Sequence, residues 1–441
     1  MKTAKIKYPS TNFVLWISLI LLVAPTMAMT PVWTYSYPSA KIGSVAISSD
    51  GNSIVVGSGL LYILSHDGQL QATQPYGDNV AMTPDGSTIV SSFGPTVYLF
   101  KQNFTRNPKI FSSIHEIWET QLLNPISSLS ISDNGKMVAL STQGSGLLEV
   151  YSSKGGLIGY NNQSYYPVVK ISSDGQVIVG LSQTAMTVVD KYGRSKVYFN
   201  LSVVSDPTVM ALTSDGDAVF FNDDQRVWCA STKSNGSAIW SSLLPGDINA
   251  LAVTPSGSDI FIGTDNGYVD HFDKNGNLTW EYNINQNGTR GSMVQSVAVS
   301  DNGANVIAGT YDGKTLMFSS DGDLLWSNQT NDHIHHVVLT GDGSFAIATG
   351  DYTVYAYQSV SSGASPSTAS TVVSTLTPGE DNPPVSDYGS GPADNSTVVP
   401  TPVSQDLSQY STIQTAQGSP LSPVTGYIAI IVIIVLIRRK G

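Results

Sequence analysis

A seven-residue signature recurs eight times between residues 45 and 343, and it restricts the fold more than any other feature. The copies are Val45-Ala-Ile-Ser-Ser-Asp-Gly51, Val80-Ala-Met-Thr-Pro-Asp-Gly86, Leu129-Ser-Ile-Ser-Asp-Asn-Gly135, Val169-Lys-Ile-Ser-Ser-Asp-Gly175, Met210-Ala-Leu-Thr-Ser-Asp-Gly216, Leu251-Ala-Val-Thr-Pro-Ser-Gly257, Val297-Ala-Val-Ser-Asp-Asn-Gly303 and Val337-Val-Leu-Thr-Gly-Asp-Gly343. Their glycines lie 35, 49, 40, 41, 41, 46 and 40 residues apart. A period near 40 that contains several short strands is the mark of a β-propeller blade, a unit that cannot bury its apolar faces alone.

Each unit has the same internal order. An alternating first strand ends in Ser/Thr-x-Asp-Gly, where Asp-Gly or Asn-Gly supplies the positive φ of a tight hairpin. A second strand follows, such as Asn305-Val-Ile-Ala-Gly-Thr310. A third carries aromatics, as in Thr96-Val-Tyr-Leu-Phe100 and Tyr352-Thr-Val-Tyr-Ala-Tyr357. After a second Gly-containing turn, the fourth strand often bears tryptophan: Trp118, Trp240, Trp280 and Trp326. The last unit stops at Tyr357-Gln358 without a fourth strand, and Val32-Trp33-Thr-Tyr-Ser-Tyr37 at the other end has the missing pattern. Pairing the two would close the ring and leave no open edge. The expectation is an all-β propeller of eight four-stranded blades over residues 31–358, closed by an N-terminal strand. Seven blades remain the alternative, because the interval from Gly86 to Gly135 is irregular.

The stretches Phe318-Ser-Ser-Asp-Gly-Asp-Leu-Leu-Trp326 and Phe272-Asp-Lys-Asn-Gly-Asn-Leu-Thr-Trp280 resemble the repeats of PQQ-like and WD40-like propellers. The resemblance spans residues 32–358 and implies the propeller fold. It departs from both families. The Gly-His and Trp-Asp dipeptides of WD40 repeats are absent, and so is the vicinal cysteine pair that resembles a signature of quinone-dependent alcohol dehydrogenases.

The ends read as membrane elements. Lys2, Lys5 and Lys7 precede the 12-residue apolar run Phe13–Ala24 and the small residues around Ala28, which is the order of a secretory signal cleaved after Ala28. Residues 359–423 are rich in Ser, Thr, Pro, Val and Gly and carry only acidic charges, a composition that does not fold. As a coil these 65 residues would span about 45 Å, which suits a stalk. Residues 424–441 hold the apolar run Tyr427–Ile437, followed by Arg438, Arg439 and Lys440. Basic residues stay on the cytoplasmic side, so this segment reads as a membrane anchor or sorting signal with the propeller outside the cell. The 14 residues from Val424 make about 21 Å of helix, short of a hydrocarbon core of about 30 Å. The order of linker, apolar run and basic end resembles anchoring signals on archaeal surface proteins.

Between these ends, residues 31–423 hold 15 basic and 33 acidic side chains, a net charge of −18. Such a surface repels phosphate and argues against nucleic acid as a partner. The single cysteine, Cys229, excludes an internal disulfide, and its setting Val227-Trp-Cys-Ala230 reads as a buried strand. Sequons at Asn103, Asn162, Asn200, Asn235, Asn277, Asn287, Asn328 and Asn395 are candidate glycosylation sites.

Propellers bind ligands on their faces or at the central channel. Residues just before or at the start of each first strand are expected at the channel mouth: Lys41, Asp78, Asp206, Asp247, Asn249, Gln295, His333 and His335. His333 and His335 alternate and therefore share one face, where two imidazoles beside carboxylates could hold a divalent metal. A hydrated polar mouth is the plainer account. Asp273-Lys-Asn275-Gly-Asn277 has part of the spacing of a calcium loop, but its glycine is misplaced and it falls on a repeated turn. No Walker loop, His-Glu-x-x-His or Gly-x-Ser-x-Gly occurs. The expected function is a non-enzymatic, monomeric surface protein that presents a face to a protein, a glycan or an envelope component. The alternatives are a propeller enzyme, either a quinone-dependent oxidoreductase or a metal-assisted hydrolase or lyase at the channel mouth, and a structural envelope component.

Overall fold

Why the repeat makes a disc is visible in one turn. Ser48 Oγ donates to Asp50 Oδ1 at 2.6 Å and accepts the Ser53 amide at 3.0 Å, while the Asn52 amide donates to Asp50 Oδ1 at 3.1 Å. The hydroxyl and carboxylate thus satisfy backbone donors that the hairpin would leave orphaned. The same Ser/Thr hydroxyl caps the turn in every unit, from Thr83 to Thr340. Only the glycine is left-handed, with φ between 65° and 76° in the eight copies; the preceding Asp or Asn is not. The turn therefore differs from a hairpin in which both residues take positive φ.

The chain folds, in a computed structural model, into eight antiparallel four-stranded blades with no helix among the described residues. Those residues are 27–37, 40–105, 110–144, 146–164, 166–182, 184–200, 208–233, 238–285, 292–358 and 372–374. The segment read as leader apart from 27–28, the stalk apart from 372–374, and the segment read as anchor lie outside them. In blade 1 the 11-residue strand Ile54–Leu64 turns at Gly59 and supplies both the second and third strand positions. The irregular interval after Gly86 is a lengthened hairpin in blade 2, Thr96–Phe104 paired with Phe111–Gln121, so no blade is missing. The ring closes where the sequence suggested: Trp33–Ser36 pairs antiparallel with Thr353–Gln358, with Trp33 opposite Ala356. Two short strands run parallel along outer edges, Met27–Ala28 beside blade 7 and Val372–Ser374 beside Trp33–Ser36. The sequence reading had placed both segments outside the fold.

The core is not central. It consists of eight apolar clusters, each shared by two adjacent blades. Between blades 6 and 7, for example, Phe261 and Val269 pack against Val294, Val306, Leu316 and Phe318. Backbone bonds stitch the same seams on the turn side. Ser49 donates to Pro84, Ser173 to Ser214, Ser214 to Pro255 and Asp301 to Gly341, at 2.8–3.0 Å. Gly341 donates to Ser49 at 3.0 Å across the seam between the last blade and the first.

A fourth-strand tryptophan locks four of the seams farther out. Trp280 of blade 6 lies over Gly322 in the outer turn of blade 7, and its indole donates to the Ser320 carbonyl at 2.9 Å. A Cβ on Gly322 would stand 2.8 Å from the Trp280 ring. Trp33 on Gly68 and Trp240 on Gly276 repeat the arrangement, with indole bonds to His66 at 2.8 Å and Lys274 at 3.0 Å. Trp118 covers Gly155 too, but its buried indole nitrogen has no hydrogen-bond partner. Where blade 3 has Gly159 in place of tryptophan, the Tyr192-Gly193 turn of blade 4 moves into backbone contact instead. Blade 8 borrows its fourth strand from the N-terminus and has no outer turn, so the buried indole nitrogen of Trp326 finds no partner and its ring packs on Tyr357, 5.0 Å between centroids.

Two substitutions test this lock. Trp280→Ala should cost about 3 kcal/mol by urea unfolding, and Gly322→Ala about 2 kcal/mol, because its φ of 86° and the indole both oppose a methyl group. The two should not add, since removing the ring relieves the clash. In the Trp280→Ala background Gly322→Ala should cost at least about 1 kcal/mol less. Strict additivity would show that the indole and the turn do not act as one unit.

Candidate functional site

Strand alternation gives the disc two unlike faces. The Asp-Gly turns and the outer turns share one face. The loops between second and third strands and the inter-blade connections share the other, called here the loop face. The described channel-mouth residues expected from sequence belong to the loop face.

At the junction of blades 7, 8 and 1 the structure gathers three of them around a residue the sequence reading missed. Asp351 Oδ1 accepts Lys41 Nζ at 3.1 Å and His335 Nε2 at 3.0 Å. Lys41 first, then His335, hold the Asp351 carboxyl below the usual carboxylate range. A pocket of about 430 Å³ opens here, lined by Lys41, Gln295, Ser296, His335, His336 and Asp351. Burial, and then the neighbouring His335, push the His336 imidazole below its usual pKa. Asp351 escaped notice because it sits in the loop between the second and third strands of the last unit. Only assembly brings that loop onto Lys41, 310 positions away.

His333 and His335 do flank the buried Ile334 and so share a face, but they are engaged separately. The His333 ring stacks on Tyr311 at 3.9 Å and 13°, and its Nδ1 bonds the Tyr311 carbonyl. Its centroid lies 6.2 Å from that of His335. Among the described residues no group of three His, Cys, Asp or Glu side chains could hold a metal ion. Asp78, Asp247 and Asn249 serve the scaffold. Asp78 Oδ1 accepts the Gly59 amide at 3.3 Å and its carbonyl accepts Ser44 Oγ at 2.8 Å. Asp247 exchanges backbone and side-chain bonds with Asp265, and Asn249 Nδ2 donates to the Val294 carbonyl at 3.3 Å. Asp206 lies outside the described residues.

Asp273 spends its carboxylate on the Asn275 and Asn277 amides at 2.8 and 2.9 Å and on Asn277 Nδ2 at 2.9 Å, bonds that hold its pKa at about 2. The loop is thus a turn, as its place in the repeat implied. Burial pushes the Cys229 thiol up to about 12, which removes it as a nucleophile at neutral pH. Of the sequons, Asn103, Asn162 and Asn277 are exposed. Asn328 is half-buried with its amide nitrogen on the Tyr357 hydroxyl at 2.8 Å, and Asn200 ends the strand Ser195–Asn200. Asn235, Asn287 and Asn395 lie outside the described residues.

The loop face also exposes an arc of apolar side chains over blades 7, 8, 1 and 2. Tyr311, Tyr352, Leu60, Tyr76 and Phe93 are each 42–47% accessible, and Leu123 is 99% accessible. Tyr76 holds φ at 70°, a conformation that costs a non-glycine residue roughly 1–3 kcal/mol. It stacks on Tyr98 at 5.3 Å and leans on Phe93 at 5.7 Å. The sequence reading missed this arc, because these aromatics look like strand residues and only the ring sets them side by side.

One ionisable group is poorly served. Asp270, in the wedge between blades 5 and 6, is 3% exposed, stands opposite Ile262 and Glu281, and has one carboxyl oxygen without a partner. Desolvation, then Glu281, raise its pKa to about 7.

A family model for the outer membrane protein assembly factor BamB, of the PQQ_2 type, matches residues 200–364. No curated protein matches the chain. Among solved structures, Sqt1 of Chaetomium thermophilum bound to the N-terminus of ribosomal protein L10 is similar, with a TM-score of 0.66 and 14% identity over 75% of this chain and all of that one. Sqt1 of Saccharomyces cerevisiae gives 0.61 and 12%, over 76% of this chain and all of its own. The C-terminal WD40 domain of Sif2 gives 0.62 and 12%, over 76% and 99%. At these identities the likeness is one of fold: a propeller repeat protein akin to the PQQ and WD40 types.

Asp270 makes stability depend on pH. Between about pH 4 and 7 the folded chain keeps a proton that the unfolded chain has released, so stability present at low pH is lost as pH rises through that window. The loss from this group approaches roughly 4 kcal/mol. Asp270→Asn should remove it: the melting temperature of the native chain falls from pH 5 to pH 8 and that of the variant falls less. Parallel curves would show that Asp270 does not titrate in this range.

Proposed function

We propose that this chain is an exported propeller held at the cell surface, and that its loop face binds a partner protein without catalysing a reaction. The observation that carries the reading is the exposed arc of Leu60, Tyr76, Phe93, Tyr311 and Tyr352. Scattered exposed apolar groups are ordinary, but neighbouring aromatics with few rotamers are the usual anchors of protein interfaces. The Lys41–Asp351–His335 cluster adds polar groups beside them. The leader-like start, acidic linker and basic apolar tail of the sequence support display outside the membrane. The Sqt1 structure with a bound peptide from another protein offers a precedent of fold for such a role.

A photo-crosslinking residue placed at Tyr352 in the full chain, in the producing cells, should capture one discrete protein. The same residue at Asp133 on the turn face should not. Adding Tyr76→Ser and Phe93→Ser should cut the yield at least about tenfold, the loss expected for two interface anchors. Equal capture from both faces, or capture only of glycan, would overturn the reading. Display outside the cell predicts that protease added to intact cells releases the propeller; protection would reject it.

A further inference from the structure

Two spaces follow one another along the innermost strands of this ring. The first is the pocket of about 430 Å³ at the loop face, where Gln295, Ser296, His335 and His336 stand with Lys41 and Asp351. The second, of about 350 Å³, is walled by the innermost strands of blades 7, 8, 1 and 2. Ser296 lines the first and Ala298 the second, two positions apart on the strand Val294–Val299. His336 and Val338 repeat the relation on His336–Leu339. Residues two apart on a strand point the same way and stand about 7 Å apart, so one step of the pleat separates the two spaces.

Their walls are of opposite character. Every side chain lining the second space is apolar, Ile47, Met82, Val299 and Leu339 among them, and all but Val45 keep part of their surface accessible. Apolar cavities prefer an apolar guest to water: one of about 150 Å³ accepts benzene, so 350 Å³ has room for a chain of about ten carbons. The first space is polar with no charge to spare. The hydrogen bond to Asp351 first, then the Asp351, Tyr352 and Asp332 side chains nearby, hold Lys41 in its ammonium form. Asp351 Oδ1 accepts both Lys41 Nζ and His335 Nε2, and among the described residues nothing bonds its other oxygen. A carboxylate head would be repelled by Asp351 and Asp332, and an ammonium head by Lys41. A hydroxyl head avoids both penalties: it donates to the open Asp351 oxygen and accepts from the Gln295 amide.

We propose that the two spaces together bind one single-chain aliphatic alcohol, a neutral amphiphile. Its hydroxyl lies among Lys41, Asp351 and Gln295, and its chain runs along the apolar wall of blades 7, 8, 1 and 2. The site shares no residue with the exposed aromatic arc and does not depend on what that arc binds.

Isothermal titration calorimetry of the full chain with 1-nonanol should show saturable binding of one molecule per chain. Shortening the probe to 1-octanol and 1-heptanol should weaken binding about fourfold for each methylene removed. Nonanoate and nonylammonium should bind at least about fivefold more weakly than nonanol, because each meets a like charge. Asp351→Asn frees Lys41 and should reverse the order, making nonanoate tighter than nonanol. Ala298→Leu fills the apolar space and should cut nonanol affinity at least about tenfold, the worth of roughly two buried methylenes. No binding of nonanol, equal affinity across the three chain lengths, or nonanoate tighter than nonanol in the native chain would each overturn the proposal. So would unchanged affinity in a folded Ala298→Leu variant or an unreversed order in Asp351→Asn. The chain-length series uses only the native protein, so it decides the question even where a variant fails to fold.

Discussion

A single blade of this protein has two apolar sheet faces and nothing of its own to cover them. Every buried cluster is therefore a contract between neighbours: Val55 and Leu61 with Ile89 and Phe100, Val179 and Met186 with Phe221, Ile307 and Trp326 with Val337 and Ala348. A linear stack would leave two such faces in water. Closure removes both, and it depends on the N-terminal strand, whose Trp33 and Tyr35 fill the wedge between the last blade and the first. The conformational cost of ordering about 300 residues is offset only when all the wedges are filled, which is the reason a ring of this kind behaves as one unit rather than eight.

The seams are secured at three radii by different chemistry. Near the axis, Ser44, Ser128 and Ser296 accept the amides of Val80, Val169 and Val337 on the next blade at 2.8–3.1 Å. In the middle lie the apolar wedges. At the rim the indoles of Trp33, Trp240 and Trp280 cap the adjacent turns. Where the rim lock is missing, the neighbour compensates. Blade 1 has Ala72 at the tryptophan position, and Phe111 and Ile114 from the lengthened hairpin of blade 2 join it against the cluster shared by blades 1 and 2. The insertion that obscures the period in the sequence thus has a structural purpose.

That division of labour leaves the loop face free for function. The turn face is consumed by capped hairpins and inter-blade bonds that repeat around the disc. The loop face carries residues that differ from unit to unit: the strained Tyr76, the Tyr311–His333 stack and the Asp351 cluster. The innermost strands show the same contrast, with seven small or uncharged residues and Lys170 at the second position of the signature. In a repeat protein the departures from the repeat mark where something other than folding has shaped the chain.

The fold was legible in the sequence because its causes are local. Ser/Thr-x-Asp-Gly caps its own turn, alternation sets which side chains face inward, and the unpaired third strand at Tyr357 announces a partner near Trp33. Even the role of Cys229 followed from its strand. What the sequence could not contain is the sum of eight small rotations. Those decide that Lys41 meets Asp351, that the His333 ring stacks on Tyr311, that Asp270 is left without a partner at a seam, and that tyrosines from three blades and Phe93 of a fourth form one arc. Contacts within a hairpin are set by residues a few positions apart. Contacts across the ring exist only once every wedge has closed, and no spacing along the chain encodes them.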